Sequence, residues 1–302
     1  MVDGKNFRSG FICLAGRPNV GKSTLMNALV DAEVAITSAK PETTRKAIRG
    51  ILTTQDAQYI FVDTPGIHRP KTLLGKRLNE MVDEQLTEVD VILFLTPADE
   101  KIGKGDRLII NHLKQIASKR IPLIAVVSKI DKVPQKELFE HLLEVQELAE
   151  FKEVVPVSAK DNFQDNLNEL LDVIKKYLPQ SPQLYSDTDI TDQNNYEMIG
   201  EVVRQSALEM LDDELPHSLA CQVVDIDRET GQQVIYCNLY VERDSQKGII
   251  LGKQGKRIKE IRKRSQRIIR GMVGDSEAIL KLSVKVAKNW QSDTKFLNKM
   301  GF

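Results

Sequence analysis

The run GRPNVGKST, Gly16 to Thr24, sets two glycines, a lysine and a hydroxyl at the spacing G-x-x-x-x-G-K-[ST]. Gly16 and Gly21 let backbone N–H groups curl around phosphate oxygens, Lys22 sets a cation against the outer phosphates, and Ser23 offers a hydroxyl to Mg²⁺. The apolar run FICLA precedes the loop, and Leu25, Met26, Ala28 and Leu29 follow it, so it joins a strand to a helix N-terminus, where anions bind. Arg17, Pro18, Asn19, Val20 and Thr24 complete the loop and count with it as nucleotide contacts. The choice of base falls to SKID, Ser128 to Asp131, at the end of another apolar run. A carboxylate there accepts from the ring N–H and the exocyclic amine of guanine together, a donor pair that adenine lacks. Lys129 can lie along the base with its stem. SAK, Ser158, Ala159 and Lys160, ends the next strand and completes the base pocket through its backbone.

A different chemistry lies in GIILGKQGKRIKEIRKRSQRIIRG, Gly248 to Gly271. Here GKQG, Gly252 to Gly255, follows an apolar turn and opens a basic helix. Two glycines let a nucleic-acid backbone approach closely, with Lys253 and Lys256 beside the phosphates and Gln254 and Arg257 in the same stretch. The helix is expected to bury Ile258, Ile261, Ser265, Ile268 and Met272, and Ile249 is read as core. A second G-x-x-G, GMVG at Gly271 to Gly274, reads as a helix C-cap.

These sites need elements to hold them. FICLA, YIFVDT, VILFLT, LIAVVS and VVPVSA read as strands buried on both faces, hence a mainly parallel sheet. Helical segments alternate with them, the pattern of a doubly wound α/β domain. PQSPQLYSDTDITDQNN then breaks the pattern and reads as a linker or extended arm, and as the expected hinge. Beyond it come a helix with Ile199, Val202, Val203, Ala207, Met210 and Leu211 on one stripe, two strands with Gly231 between them, the GKQG loop with its helix, and the strand ILKLSVKVA. Trp290 is expected to pack rather than to stack on a base.

Taken in order, GRPNVGKS, PETTR, DTPG, SKID and SAK resemble the five motifs of the Ras-like GTPase superfamily. The proline in RPNVGKS and the paired threonines of PETTR are similar to the bacterial branch that includes the Era family. The order helix, strand, strand, GKQG between helices, strand resembles a type II KH module. The expected fold class is therefore α/β: a Ras-like phosphate-loop GTPase domain with a mainly parallel, doubly wound sheet over residues 8–178. A linker at 179–195 and a smaller α+β type II KH domain at 196–288 follow. By this resemblance Asp63, with Ser23, holds Mg²⁺, and a threonine of PETTR, Thr44 ahead of Thr43, completes the metal shell. Gly66 meets the γ-phosphate by its N–H, with Thr64, Pro65 and Ile67 in the same loop. Lys22, Thr44 and Gly66 are the expected catalytic set. Ile67 can neither orient nor deprotonate a water, so the implied hydrolysis is slow, and Asn19 is the candidate for holding K⁺ near the phosphates. Where the family's base motif begins with asparagine, this chain has Ser128. The shorter side chain implies a lost contact, to guanine or to the phosphate loop, while Asp131 still selects guanine. His68, beside Ile67, reads as a solvent-facing loop residue.

The resemblance implies a GTP-binding, slowly hydrolysing switch that binds the 3′ end of 16S ribosomal RNA through its KH domain and assists biogenesis of the small (30S) subunit. GTP and GDP, that RNA, and a peripheral contact on the cytoplasmic face of the membrane are the implied partners, and a monomer is expected. Two other readings share the motifs: a constitutive RNA-binding protein with a structural GTPase domain, and a membrane-surface regulatory GTPase.

Bulk properties agree. The 302 residues allow two domains, and 28% charged against 41% hydrophobic residues is ordinary for a soluble protein. No apolar run approaches the roughly 20 residues of a membrane span, and MVDGKNFRSG lacks the apolar core of a secretory signal. Three scattered cysteines suit a reducing cytoplasm and form no metal knuckle. The net charge of zero hides a split: Lys247 to Arg270 carries ten basic residues against Glu260 alone, which points to an anionic partner, nucleic acid ahead of membrane.

Overall fold

The structure, a computed structural model, describes residues 7–35, 37, 44–67, 70–116, 121–160, 163–211, 218–228 and 232–302. It divides into two compact units, the first carrying most of the chain to Asp192 and the second Gln193–Phe302.

In the first unit, β1 (Arg8–Gly16), β3 (Ala57–Asp63), β4 (Val91–Pro97), β5 (Leu123–Ser128) and β6 (Val154–Pro156) run parallel, and β2 (Ile48–Thr53) joins antiparallel at the edge of β3. The order is β2-β3-β1-β4-β5-β6. Apolar residues occupy consecutive positions along the strands because both faces are covered. Ile12 and Leu14 of β1 pack with α1 (Lys22–Val30) and α5 (Gln164–Tyr177). Cys13 and Ala15 pack on the opposite side with α2 (Leu73–Thr87), α3 (Lys104–Ile116) and α4 (Gln135–Gln146). The strand order reverses at β1, whose neighbours are β3 and β4, so a crevice opens beyond its C-terminal end, where open α/β sheets bind ligands. Register brings the right residues to that edge. Leu14 pairs with Asp63, Gly16 with Leu95, and Pro97 with Ser128.

The stretch expected as a hinge is an arm laid along the first unit. Ser9 Oγ donates to Pro182 O at 2.6 Å, and Ile51 N–H donates to Ile190 O at 2.9 Å. The fully buried Gln58 accepts on Oε1 from the N–H groups of Leu184 and Tyr185, at 2.8 and 3.0 Å. Arg49 then pairs with Asp192 at 2.8 Å, so the arm is pinned as far as that residue.

The second unit begins with α6 (Asn195–Glu209), capped by the Asn194 side chain, which accepts from Glu197 N–H. The sheet order is β7 (Ala220–Asp227), β8 (Val234–Val241), β9 (Ile279–Val286), with β7 antiparallel and β9 parallel to β8. Between β8 and β9 stand α7 (Asp244–Leu251) and α8 (Lys256–Val273), and α9 (Thr294–Met300) closes the chain. The α6 stripe is as expected, with Ile199, Val203 and Ala207 at zero exposure. Two expectations are corrected. Ile249 is 38% exposed, because the phase of α7 turns Ile250 inward instead. Met272 is likewise 38% exposed, and Ile269 takes its place in the core with Ile261 and Ser265. Trp290 is fully buried, its Nε1–H donating to Ser218 O at 2.9 Å, so it packs. Gly274 ends α8 in the left-handed region, φ 66°, as a glycine C-cap does. Gly231 lies outside the described residues.

Candidate functional site

The phosphate loop leaves β1 and enters α1 through Gly21, whose φ of 102° only glycine adopts without strain. Asn19 is left-handed at φ 64°, a conformation asparagine tolerates better than most residues, and is exposed. A Cβ on Gly16 would lie 2.8 Å from Leu95 O, so the loop begins hard against β4. Lys22 is buried, with Nζ donating to Arg17 O at 3.1 Å and Gly16 O at 3.4 Å. The loop's curvature is thereby fixed from inside. Arg17 points elsewhere: Nε pairs with the buried Asp106 at 2.7 Å and Nη2 with Glu100 at 3.0 Å. Its side chain is committed to α3 and the loop before it.

Three oxygens converge beside Lys22. Ser23 Oγ donates to Asp63 Oδ2 at 2.5 Å, Thr44 Oγ1 donates to the same atom at 3.2 Å, and the two hydroxyls are 3.3 Å apart. Asp63 is fully buried, and its Oδ1 has no hydrogen-bond partner. Burial raises the Asp63 carboxyl above its ordinary range and lowers the Lys22 ammonium, although each charge steadies the other. Two desolvated charges, an orphaned carboxylate oxygen and an all-oxygen donor set fit a hard cation such as Mg²⁺ with phosphate beside it. Among the described residues no group of three His, Cys, Asp or Glu side chains forms a metal site. Thr43 and His68 lie outside the described residues.

The loop after Asp63 folds over the phosphate loop. Thr64 Oγ1 donates to Leu14 O at 2.9 Å, which ties it to β1. A Cβ on Gly66 would sit 2.7 Å from Pro18 N and 2.8 Å from Pro18 Cγ, so only glycine allows this approach. Ile67 is buried, packed in the cluster that holds Val62 and Ile102. Its side chain is an apolar anchor that fixes the loop from beneath and offers no hydrogen-bonding group.

At the other end, Gly21, Leu25, Ser128, Asp131, Val157 and Lys160 line a cleft of about 190 Å³. Ser158 Oγ donates to Asp131 Oδ1 at 2.7 Å, and Lys160 Nζ pairs with Oδ2 at 2.5 Å. Against the raising effect of burial, these partners hold the Asp131 carboxyl below its ordinary range. Lys129 is left-handed, φ 59°, which turns the chain so that Asp131 follows it into the cleft. Ser128 Oγ donates to Val20 O at 2.7 Å, so serine keeps the tie from base motif to phosphate loop.

In the second unit the GKQG turn has three positive φ values: Gly252 at 68°, Gln254 at 52° and Gly255 at 71°. A Cβ on Gly252 would also lie 2.7 Å from Arg257 Cβ. Lys253, Gln254 and Lys256 are exposed. Arg257 Nη1 instead donates to Ile249 O at 2.9 Å and closes the end of α7. Lys259, Arg262, Lys263 and Arg267 continue the exposed basic face along α8.

The chain matches two families: 50S ribosome-binding GTPase over residues 11–129, and KH domain over residues 214–291. It is 48% identical to GTPase Era of Mycobacterium tuberculosis, over 98% of this chain and 99% of that relative. It is 50% identical to GTPase Era of Mycobacterium avium over the same shares. Among solved structures it is similar to Era in complex with MgGDPNP and nucleotides 1506-1542 of 16S ribosomal RNA. There the TM-score is 0.92 at 36% identity, covering 98% of this chain and 99% of that one. A single-residue variant of Aquifex aeolicus Era bound to GDP.AlF4- gives a TM-score of 0.91, also at 36% identity and with the same coverage.

Proposed function

Because the chain belongs to the Era family of GTPases, we propose that its GTPase domain, residues 8–178, controls an RNA clamp formed by the KH domain, residues 196–288, across the arm at 179–195. The RNA is the 3′ end of 16S ribosomal RNA, and the outcome is assembly of the small (30S) ribosomal subunit. The observation that carries the reading is the GKQG turn, with three positive φ values and Lys253 and Lys256 exposed on it. The Era relative that matches over 98% of this chain holds such an RNA.

The nucleotide chemistry follows from the first unit. Phosphoryl transfer asks mainly for positioning and charge neutralisation. Backbone N–H groups of the loop Gly16 to Ser23, Pro18 apart, cradle the phosphates, and Lys22 adds a fixed cation. Ser23, Thr44 and Asp63 would hold Mg²⁺, which when bound supplies further neutralisation at the phosphate oxygens. Gly66 offers its N–H to the γ-phosphate. Asp131 accepts from guanine, with Ser128, Lys129, Ser158, Ala159 and Lys160 shaping the pocket. With Ile67 buried, no side chain at that position orients a water, so intrinsic hydrolysis is slow, as suits a timer. Asn19, exposed in the phosphate loop, is the residue we assign to a K⁺ ion.

The site of action is the cytoplasm and the protein acts as a monomer, with the basic face of α8 also suited to peripheral contact with anionic lipid. No helix among the described residues is long and apolar enough to cross a membrane. Lys253→Glu with Lys256→Glu tests the clamp. Each phosphate contact to a single strand adds about 0.7 to the salt slope of log affinity. The double variant is expected to lower that slope by about 1.4 or more. Fluorescence anisotropy on a labelled 16S 3′-end oligonucleotide reads it, and an unchanged slope places the RNA elsewhere.

A further inference from the structure

Glu100 lies in the loop between β4 and α3. Its Oε2 meets Arg17 Nη2 at 3.0 Å, and its Oε1 faces Lys129 Nζ at 3.7 Å. Arg17 belongs to the phosphate loop and Lys129 to the base motif, so one carboxylate spans the two ends of the nucleotide site. Asp99 reinforces the second end, with Oδ1 3.7 Å from Lys129 Nζ and Oδ2 2.8 Å from Lys132 Nζ. Asp106 reinforces the first. It is fully buried, takes Arg17 Nε on Oδ1 at 2.7 Å, and accepts Gly103 N–H on Oδ2 at 2.9 Å. Space for this is kept by Gly105, where a Cβ would lie 2.7 Å from Arg17 Cδ.

We propose that Glu100 is a positioning residue for nucleotide retention: through Arg17 and Lys129 it locks the phosphate loop to the guanine motif at a fixed separation. This rests on the nucleotide reading above. A single exposed ion pair contributes little, but Glu100 acts on two partners, one of them clamped by a buried carboxylate. The gain is of the chelate kind: a ligand that reaches both ends binds its second end at high effective concentration only if the ends are held in register. Ligands that reach one end gain nothing from Glu100.

The test uses the full chain, with displacement of a fluorescent GDP by GDP, by guanosine and by pyrophosphate. Glu100→Gln removes the charge at nearly constant shape, and Gly105→Ala displaces the Arg17 stem without touching a charge. Both are expected to weaken GDP about five- to tenfold and to leave guanosine and pyrophosphate within about twofold. Equal weakening of all three ligands would show a merely structural role, and unchanged GDP affinity would show no role; either overturns the proposal. Asp131→Asn in the same assay reports on the nucleotide reading itself, since unchanged guanine preference removes that reading whatever Glu100 does.

Discussion

Asp131→Asn is expected to weaken GDP binding by two to four orders of magnitude and to turn the site toward xanthine nucleotides. The Asp131 carboxylate is the only acceptor-only side chain among the described residues lining the cleft. Two hydrogen bonds from guanine to a charged acceptor are worth about 1.5–3 kcal/mol each, which converts to that loss. An amide presents a donor where guanine also presents one, whereas the xanthine carbonyl accepts. The variant should fold, because Asp131 lines the cleft and belongs to neither hydrophobic cluster of its unit. Displacement of fluorescent GDP by GDP and by XDP reads both halves of the expectation, and retained guanine preference would remove Asp131 from the base-reading role.

Gly66→Ala is expected to abolish most hydrolysis while sparing GDP. The new methyl would fall 2.7 Å from a backbone nitrogen, Pro18 N, which has no room to yield because Pro18 lies within the phosphate loop itself. The loop after Asp63 must then lift, carrying the Gly66 N–H away from the γ-phosphate position. Loss of one such fixed donor costs about 10²–10³ in rate. GDP lacks the γ-phosphate and is expected to bind within about threefold of the parent, since only one hydrogen bond's worth of strain separates them. Single-turnover phosphate release with a parallel GDP titration separates the outcomes. Equal turnover in the variant would mean that Gly66 is a packing glycine and nothing more.

Much of the nucleotide site was legible because its chemistry is local in the chain. A loop that wraps phosphate must be written in consecutive residues, and Gly16, Gly21, Lys22 and Ser23 are. The same holds for the GKQG turn, whose two glycines carry positive φ as their type suggests. What the sequence concealed depends on contacts between distant segments. Arg17 reads as one more nucleotide contact of the loop, but Asp106 and Glu100 claim its side chain, and nothing near Arg17 in the chain announces them. The strand β2 was not read because IRGILT mixes Arg49 and Gly50 into a short edge strand, whose partner β3 fixes it by antiparallel register. The arm after Leu178 reads as a linker because it has no periodicity of its own. The contacts that lay it along the first unit, with Gln58, Ser9 and Ile51, are with residues far away in the chain. Ile249 and Ile250 are identical in type, and only the rotation of α7 decides that Ile250 is buried.

Ile67 shows how the two levels meet. Its type alone says that water is not oriented here. Its burial adds that the residue anchors the loop carrying Gly66, so on the proposed function the γ-phosphate sensor is held firmly while the Ile67 side chain orients no water. A firmly held sensor with slow turnover, as proposed, has value only if another surface changes with the nucleotide.

The most direct test of that claim is the affinity of the full chain for a short RNA matching the 16S 3′ end, measured with a non-hydrolysable GTP analogue and again with GDP. A scrambled RNA at the same salt is the control. The account predicts tight, sequence-preferring binding in the GTP-analogue state and at least about tenfold weaker binding with GDP, a coupling of about 1.4 kcal/mol. Equal affinity in the two states would contradict it and leave a constitutive RNA clamp beside an uncoupled GTPase.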